Sequence, residues 1–476
     1  MQSNNERSSI SHRFAGRGFA RLAHVVVATA AIGGCGQGPL DLADESDTEL
    51  RSHSPAATAL PATTAVAWID LLMKIVGDEK LGGPEAARLY AAASVALYES
   101  AVDGMPGYRS LGGQLNGLPR LKAAPPGLRL DWPTVMAQAT GRLTTDLLAT
   151  RPAAVAAVAA LVQQQLATRA QGCSDRKVYA RSLEHGQRLG DHLVAWMQAD
   201  GFLANRDLPF TAPQGPDFWQ PTGTAPPGTR PSEPYFSRTR PLVLETAGMC
   251  SPGAPPPYSE EPGSELWTQA QVVVSTVRGL TPAQDALGRF WLDGGGTPGT
   301  PGHWMSIARQ LVANESLARA VRVFATVGIT QLDAFISCWD TKFTYNHLRP
   351  ETYIRRVIDP AWQPLAPTPQ HPEHTSGHAC AAGAASVALT ALFGPRAFDD
   401  LTHVSRGLGA RHFDDFDAAA AEAAVSRLYV GHHFPSGNEG GLRGGRCVGR
   451  RFLDRISLTT RARDGRADEA DVADGI

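Results

Sequence analysis

The chain has 476 residues, 43% of them apolar, which is enough to bury a large core and makes an ordered globular protein the default. Its 44 basic and 46 acidic residues leave a formal net charge of -2, so no extended field gathers nucleic acid or coats an anionic membrane. Any anion site must therefore be local.

The chain opens with MQSNNERSSISHRFAGRGFARLAHVVVATAAIGGC, in which arginines precede a short apolar stretch, Val25 to Ile32, and small residues precede Cys35. That order predicts an export signal over residues 1–35 and an exported, periplasmic protein. Ile32-Gly33-Gly34-Cys35 is similar to a bacterial lipobox, which would place a lipid anchor on Cys35 as the one membrane contact; a plain signal cut nearby and an unprocessed tail stay open. Further on, no apolar run reaches the ~18 residues that cross a bilayer, the nearest being Ala379 to Phe393. If lipid consumes Cys35, five cysteines remain: Cys173, Cys250, Cys338, Cys380 and Cys447. Their spacing fits neither a zinc knuckle nor a dense disulfide framework, and it allows one or two bridges without pairing them.

Residues 36–62 are small and polar, as a flexible tether is. Residues 63–202 carry the helical periodicity of an N-terminal bundle, as in PEAARLYAAASVALYESAV and PAAVAAVAALVQQQLATRA, where Pro152 suits a first turn and Gly172 a last. Residues 203–281 form a Pro- and Gly-rich loop region, long enough to be functional or an ordered wrapper. A C-terminal helical bundle follows over 282–458, and 459–476 is a charged tail. The expected fold is all-α: two packed helical bundles with the long loop covering one face.

Three stretches of the second half carry chemistry. In WDTKFTYNHLRPE, Lys342 and Arg349 are seven apart; on one helix they would lie about 20° short of two turns, pointing the same way across about 10 Å of rise. Such a pair more often marks a solvated face than an anion clamp. In HPEHTSGHACAAGAASVALTALF, Ser376-Gly377-His378 precedes an Ala-rich helix, which aims free N–H groups and the positive end of the helix dipole at an oxyanion. Ser376 can cap that helix or donate to the anion. In SRLYVGHHFPSGN, Arg427 stands shortly before His432 and His433 at a helix end; arginine presents a fork suited to tetrahedral oxyanions.

Together these stretches resemble the superfamily that joins type 2 phosphatidic acid phosphatases with vanadium-dependent haloperoxidases. Its pattern is Lys, six residues, Arg-Pro; then Pro-Ser-Gly-His; then Ser-Arg, five residues, His. Lys342 and Arg349-Pro350, Ser376-Gly377-His378, and Ser426-Arg427 match, and the spacing selects His433 over His432. FWLDGGGTPGTPGHW, Phe290 to Trp304, looks like the haloperoxidase segment whose aspartate, here Asp293, pairs with the last motif's arginine, and Trp339 matches an aromatic near the cofactor. The resemblance implies vanadate as cofactor, bonded to His433 and held by Lys342, Arg349, Ser376, Gly377 and Arg427. Hydrogen peroxide, halide and a small organic acceptor would be its reaction partners, with Lys342 polarising the peroxide and His378 as acid/base. His371, seven before His378, takes a place that tends to be histidine in bromide-oxidising members, which implies bromide.

Two positions depart from the pattern. Thr375 replaces the proline before Ser-Gly-His, and Gly437 stands four after His433, where an aspartate commonly orients the imidazole. Loss of that carboxylate counts against the rival reading, a phosphatase with a phosphohistidine intermediate, although Asn438 or Glu439 could stand in. A non-catalytic exported lipoprotein scaffold and a divalent metal site from His371, His374 and His378 are further alternatives, the last without an H-E-x-x-H pattern to support it.

Overall fold

The computed structural model describes residues 56–125, 128–172 and 175–460. The proposed signal peptide, Cys35 and the start of the tether lie outside that range, as do Cys173 and the end of the tail. The described chain's regular structure is almost wholly helical: α1 (Thr63–Asp78), α2 (Gly83–Glu99), α3 (Trp132–Leu147), α4 (Pro152–Gly172), α5 (Arg176–Gln198), α6 (Phe202–Asn205), α7 (Glu265–Arg278), α8 (Pro282–Phe290), α9 (Gly299–Leu311), α10 (Leu317–Tyr345), α11 (Pro350–Val357), α12 (Gly377–Phe393), α13 (Phe416–Tyr429) and α14 (Pro435–Arg455). A single hairpin, β1 (Phe398–Asp400) antiparallel to β2 (Arg411–Phe413), links α12 to α13.

The axis of the fold is α10. Between Arg322 and Asp333 it is uncharged, and it packs against α2 on one side and α12 on the other. It is long and apolar enough to cross a membrane, yet 94% of its apolar window is buried by neighbouring helices, as befits a central core helix. One continuous core cluster runs from Ala57 to Leu458 and draws on both helical halves. Helix α14 lies against α12 with glycine along the contact: a Cβ at Gly445 would run into the Cys380 carbonyl, so the backbones meet where side chains would hold them apart.

The loop region is an ordered wrapper. Asp333, buried on α10, accepts the backbone N–H groups of Leu242, Val243 and Leu244 at 2.6, 2.7 and 2.9 Å. Burial pushes its carboxyl up to about 6 despite those bonds. Trp219 N–H donates to Asn346 O at 2.6 Å and Ser232 N–H to Gln370 O at 2.8 Å, so the loop is pinned across the segments that form the site. A disulfide between Cys250 and Cys447 ties it to α14, while Cys338 and Cys380 remain buried thiols.

Three local expectations need correction. Helix α7 occupies part of the expected loop region, because ELWTQAQVVVSTVR buries Leu266, Ala270, Val273 and Val274 behind the cap of Ser264. Residues 56–62 of the expected tether are folded onto the body: Ala57 is buried, and the Leu60 carbonyl accepts Leu317 N–H at 2.7 Å. The tail's first residues are also held, with Thr460 N–H donating to Gly107 O at 2.8 Å.

Candidate active site

Lys342 and Arg349 do not share a helix. Asn346, at φ 48°, ends α10 in the left-handed region, and its N–H returns to the Lys342 carbonyl. Arg349 precedes a proline, takes extended backbone and becomes the N-cap of α11. The two cations converge by another route, both fully buried around the segment 369–374. Lys342 Nζ donates to the carbonyls of Pro372 and Glu373 at 2.7 and 2.9 Å. Arg349 Nε donates to the His371 carbonyl at 2.9 Å and its NH2 group to His371 Nδ1 at 3.0 Å. Burial lowers the Lys342 amine to about 8 and the Arg349 guanidinium to about 10, so both are cationic at neutral pH.

Ser376 caps α12 by accepting Ala379 N–H at 3.3 Å. Thr375, in the place of the proline, is buried with its Oγ1 3.5 Å from Cys338 Sγ and 3.2 Å from Cys380 Sγ, and the cap forms with it there. Gly377 opens onto a cavity of about 100 Å³ whose wall also includes Thr300, Phe335, Trp339, His371, His378, Arg427 and His433. Trp339 is fixed by its indole N–H, which donates to Ser232 O at 3.1 Å, and the Lys342 amine sits 5.7 Å from its ring.

His433 lines this cavity, and its Nδ1 lies 2.8 Å from Glu373 Oε1. An ionised carboxylate only accepts, so Nδ1 carries the proton and Nε2 presents its lone pair, which takes an N–H of Arg349 at 3.0 Å. Burial and the Arg349 charge hold the ring neutral, well below the usual histidine range. Burial would raise the Glu373 carboxyl, but hydrogen bonds from His347 and His433 hold it well below the carboxylate range. The carboxylate missing at position 437 is thus supplied by Glu373. Gly437 is part of the arrangement, since a Cβ there would run into Glu373 Oε1. Sequence reasoning missed Glu373, which lies 60 residues from the ring it serves.

His432 faces away from the cavity. Its Nδ1 accepts Arg427 NH2 at 2.8 Å and its Nε2 donates to the Ala366 carbonyl at 2.8 Å, so it holds the arginine in place. Arg427 NH1 donates to the Trp291 carbonyl at 2.9 Å, and its Nε has no partner in the described structure. The expected Asp293–Arg427 ion pair does not form. Asp293 Oδ1 lies instead 2.9 Å from His303 Nδ1 and 3.2 Å from His403 Nε2, and its Oδ2 is 3.7 Å from His378 Nε2. His378 also meets Thr300 Oγ1 at 3.0 Å, and burial lowers its pKa well below the usual range. The structure likewise breaks up the alternative metal triad: His374 Nε2 turns to the Gly253 carbonyl at 3.0 Å and does not line the cavity.

A cavity walled by Arg427, His433 and the start of α12, with the Lys342 and Arg349 cations buried beside it and one guanidinium nitrogen of Arg427 unpartnered, is suited to a compact oxyanion. A profile of the VCPO second helical-bundle domain matches residues 322–461. Among solved structures, the fold is similar to a bacterial vanadium-dependent iodoperoxidase with a TM-score of 0.78 and 30% identity, covering 87% of this chain and all of that one. Apo and holo structures of a bacterial vanadium-dependent chloroperoxidase share the fold at TM-scores of 0.56 and 0.53, with 14% and 15% identity. These cover 87% and 84% of this chain and 98% and 94% of theirs. No curated protein matches. With 30% identity to the iodoperoxidase sustained over that protein's whole length, the chain belongs to the vanadium-dependent haloperoxidase family.

Proposed function

We propose that the protein binds vanadate and oxidises halide with hydrogen peroxide to hypohalous acid. The observation that carries this reading is His433, which lines the cavity with Nδ1 against the Glu373 carboxylate, leaving on Nε2 a lone pair that an Arg349 N–H now takes and that vanadium would take in its place. Lys342, Arg349 and Arg427 offset the anion's charge, while Ser376 and the Gly377 amide receive its oxygens at the start of α12. Vanadate, when bound, supplies a Lewis-acidic centre that activates hydrogen peroxide without changing oxidation state. Lys342 adds a positive charge beside the reacting oxygens, and His378 takes up and returns the proton at Nε2. Trp339 and Phe335 keep that side of the cavity apolar. A cavity of about 100 Å³ suits these small reactants, so the organic acceptor is halogenated outside it.

His371 completes the halide side. Its ring centroid is 5.0 Å from that of Trp339, and burial with the Lys342 and Arg349 charges keeps it neutral. We assign bromide, and with it the more easily oxidised iodide, as substrates, with little turnover of chloride. A second reading, phosphate-ester hydrolysis with His433 as nucleophile, is favoured by Glu373, which restores the carboxylate a phosphohistidine mechanism uses. Turnover of iodide, bromide and chloride should be compared in wild type and His371→Phe, beside phosphate-ester hydrolysis. Chloride turnover equal to bromide, or an unchanged ratio in the variant, would remove His371 from the halide assignment.

A further inference from the structure

Behind His378 lies a cluster that anion binding does not account for. His303, wholly buried on α9, has Nδ1 2.9 Å from Asp293 Oδ1 and Nε2 2.7 Å from Asp400 Oδ2. Ionised carboxylates accept and do not donate. A ring that gives one proton to a carboxylate through each nitrogen carries both protons, so His303 is an imidazolium. The indole of Trp291 stacks on it with centroids 4.2 Å apart and planes 15° from parallel, a placement that favours a cation. Burial alone would remove the charge, but Asp293 and Asp400 raise the ring to about 10. A divalent cation bound by Asp293, His303 and His403 is disfavoured: the guanidinium of Arg406 is 3.4 Å from His403 Nε2, one of the atoms that would coordinate it.

We propose that His303 is a positioning residue for His378: clamped between Asp293 and Asp400, it fixes Asp293 so that its unpartnered Oδ2 faces His378 Nε2 at 3.7 Å. A proton taken up at that nitrogen then meets a carboxylate already in place, with no search for an acceptor. Thr300, one turn earlier on α9, contacts His378 from the cavity. The other charged or titratable groups around the cluster are Tyr90 on α2, Arg427 on α13, and His403 and Arg406 on the hairpin loop.

The catalytic half of this assignment rests on the halide-oxidising reading, and the test separates the two. In protein labelled with ¹⁵N-histidine and free of vanadate, both His303 nitrogens should be protonated at about pH 8, where an ordinary histidine is neutral. Asp400→Asn should make that ring neutral and shift the His378 signals. In vanadate-loaded His303→Gln, turnover should fall about tenfold or more, while the affinity of the vanadate-free protein for inorganic phosphate stays within about twofold. A neutral His303 in wild type, or His378 signals unmoved by Asp400→Asn, would overturn the proposal; so would equal losses of phosphate affinity and turnover. If wild type oxidises no halide, the functional reading fails, and the histidine spectra still decide the positioning claim.

Discussion

Replacing Glu373 by glutamine removes one negative charge and almost no volume from the contact that sets the His433 tautomer. The glutamine carbonyl can still accept His433 Nδ1–H and Phe434 N–H, which meet Glu373 Oε1 at 2.8 and 3.1 Å. What is lost is the charge that makes Nε2 basic. Hydrogen bonds to charged groups contribute about 1.5–3 kcal/mol and neutral ones about half of that, so the change costs on the order of 1–1.5 kcal/mol. That is a loss of about tenfold in vanadate affinity, at the lower edge of the 10–100-fold range for such supporting residues. Glu373→Ala should cost more, because it leaves the buried Nδ1–H without an acceptor. In Glu373→Ala the space beside Gly437 is vacated, so adding Gly437→Asp should recover part of the loss, whereas Gly437→Asp alone collides with Glu373. The assay is titration of the vanadate-free protein with orthovanadate, followed by halide oxidation, with phosphate binding as an independent readout. Affinities of both Glu373 variants within about twofold of wild type would refute this account of His433.

His433→Ala should abolish vanadate binding, while His432→Ala should weaken it by about 1–3 kcal/mol through a displaced Arg427; vanadate titration of the two variants, in the opposite order, would contradict the assignment. Because burial lowers the Lys342 amine to about 8, its charge is present below that pH and lost above it. Phosphate binding to the vanadate-free protein should therefore weaken as pH rises through about 8, by up to about tenfold per unit, and Lys342→Gln should bind more weakly with no such break. The Cys250–Cys447 bridge spans 197 residues of sequence; reduction, or the Cys447→Ser variant, should cost about 2–4 kcal/mol of stability, measured by denaturant unfolding.

Much of the site was legible because its motifs are local. Ser376-Gly377-His378 announces a helix start wherever the helix lies, and the spacing from Arg427 identifies His433. The helical halves were legible from their periodicity. What failed were inferences across a chain reversal or between distant segments. Seven residues fit two turns, which would align Lys342 and Arg349 on one helix, but Asn346 takes the left-handed backbone that asparagine tolerates and ends it. Glu373 sits in HPEH, four residues that read as approach to a helix, and only the fold brings its carboxylate to His433. The vacancy at Gly437 was the available signal: a missing carboxylate beside a histidine that needs one asks for a supplier elsewhere. The resemblance pairs Asp293 with Arg427, whereas its partners include His303, ten residues on in the same glycine-rich segment, and His403 from the hairpin loop.

Halide oxidation with hydrogen peroxide should be followed as orthovanadate is added to the vanadate-free protein. Expected are no turnover without vanadate, saturable activation by one vanadate per chain, suppression by competing phosphate, and no activation of His433→Ala. Halide oxidation independent of vanadate, or phosphate-ester hydrolysis that vanadate inhibits in a protein that oxidises no halide, would contradict the halide-oxidising reading.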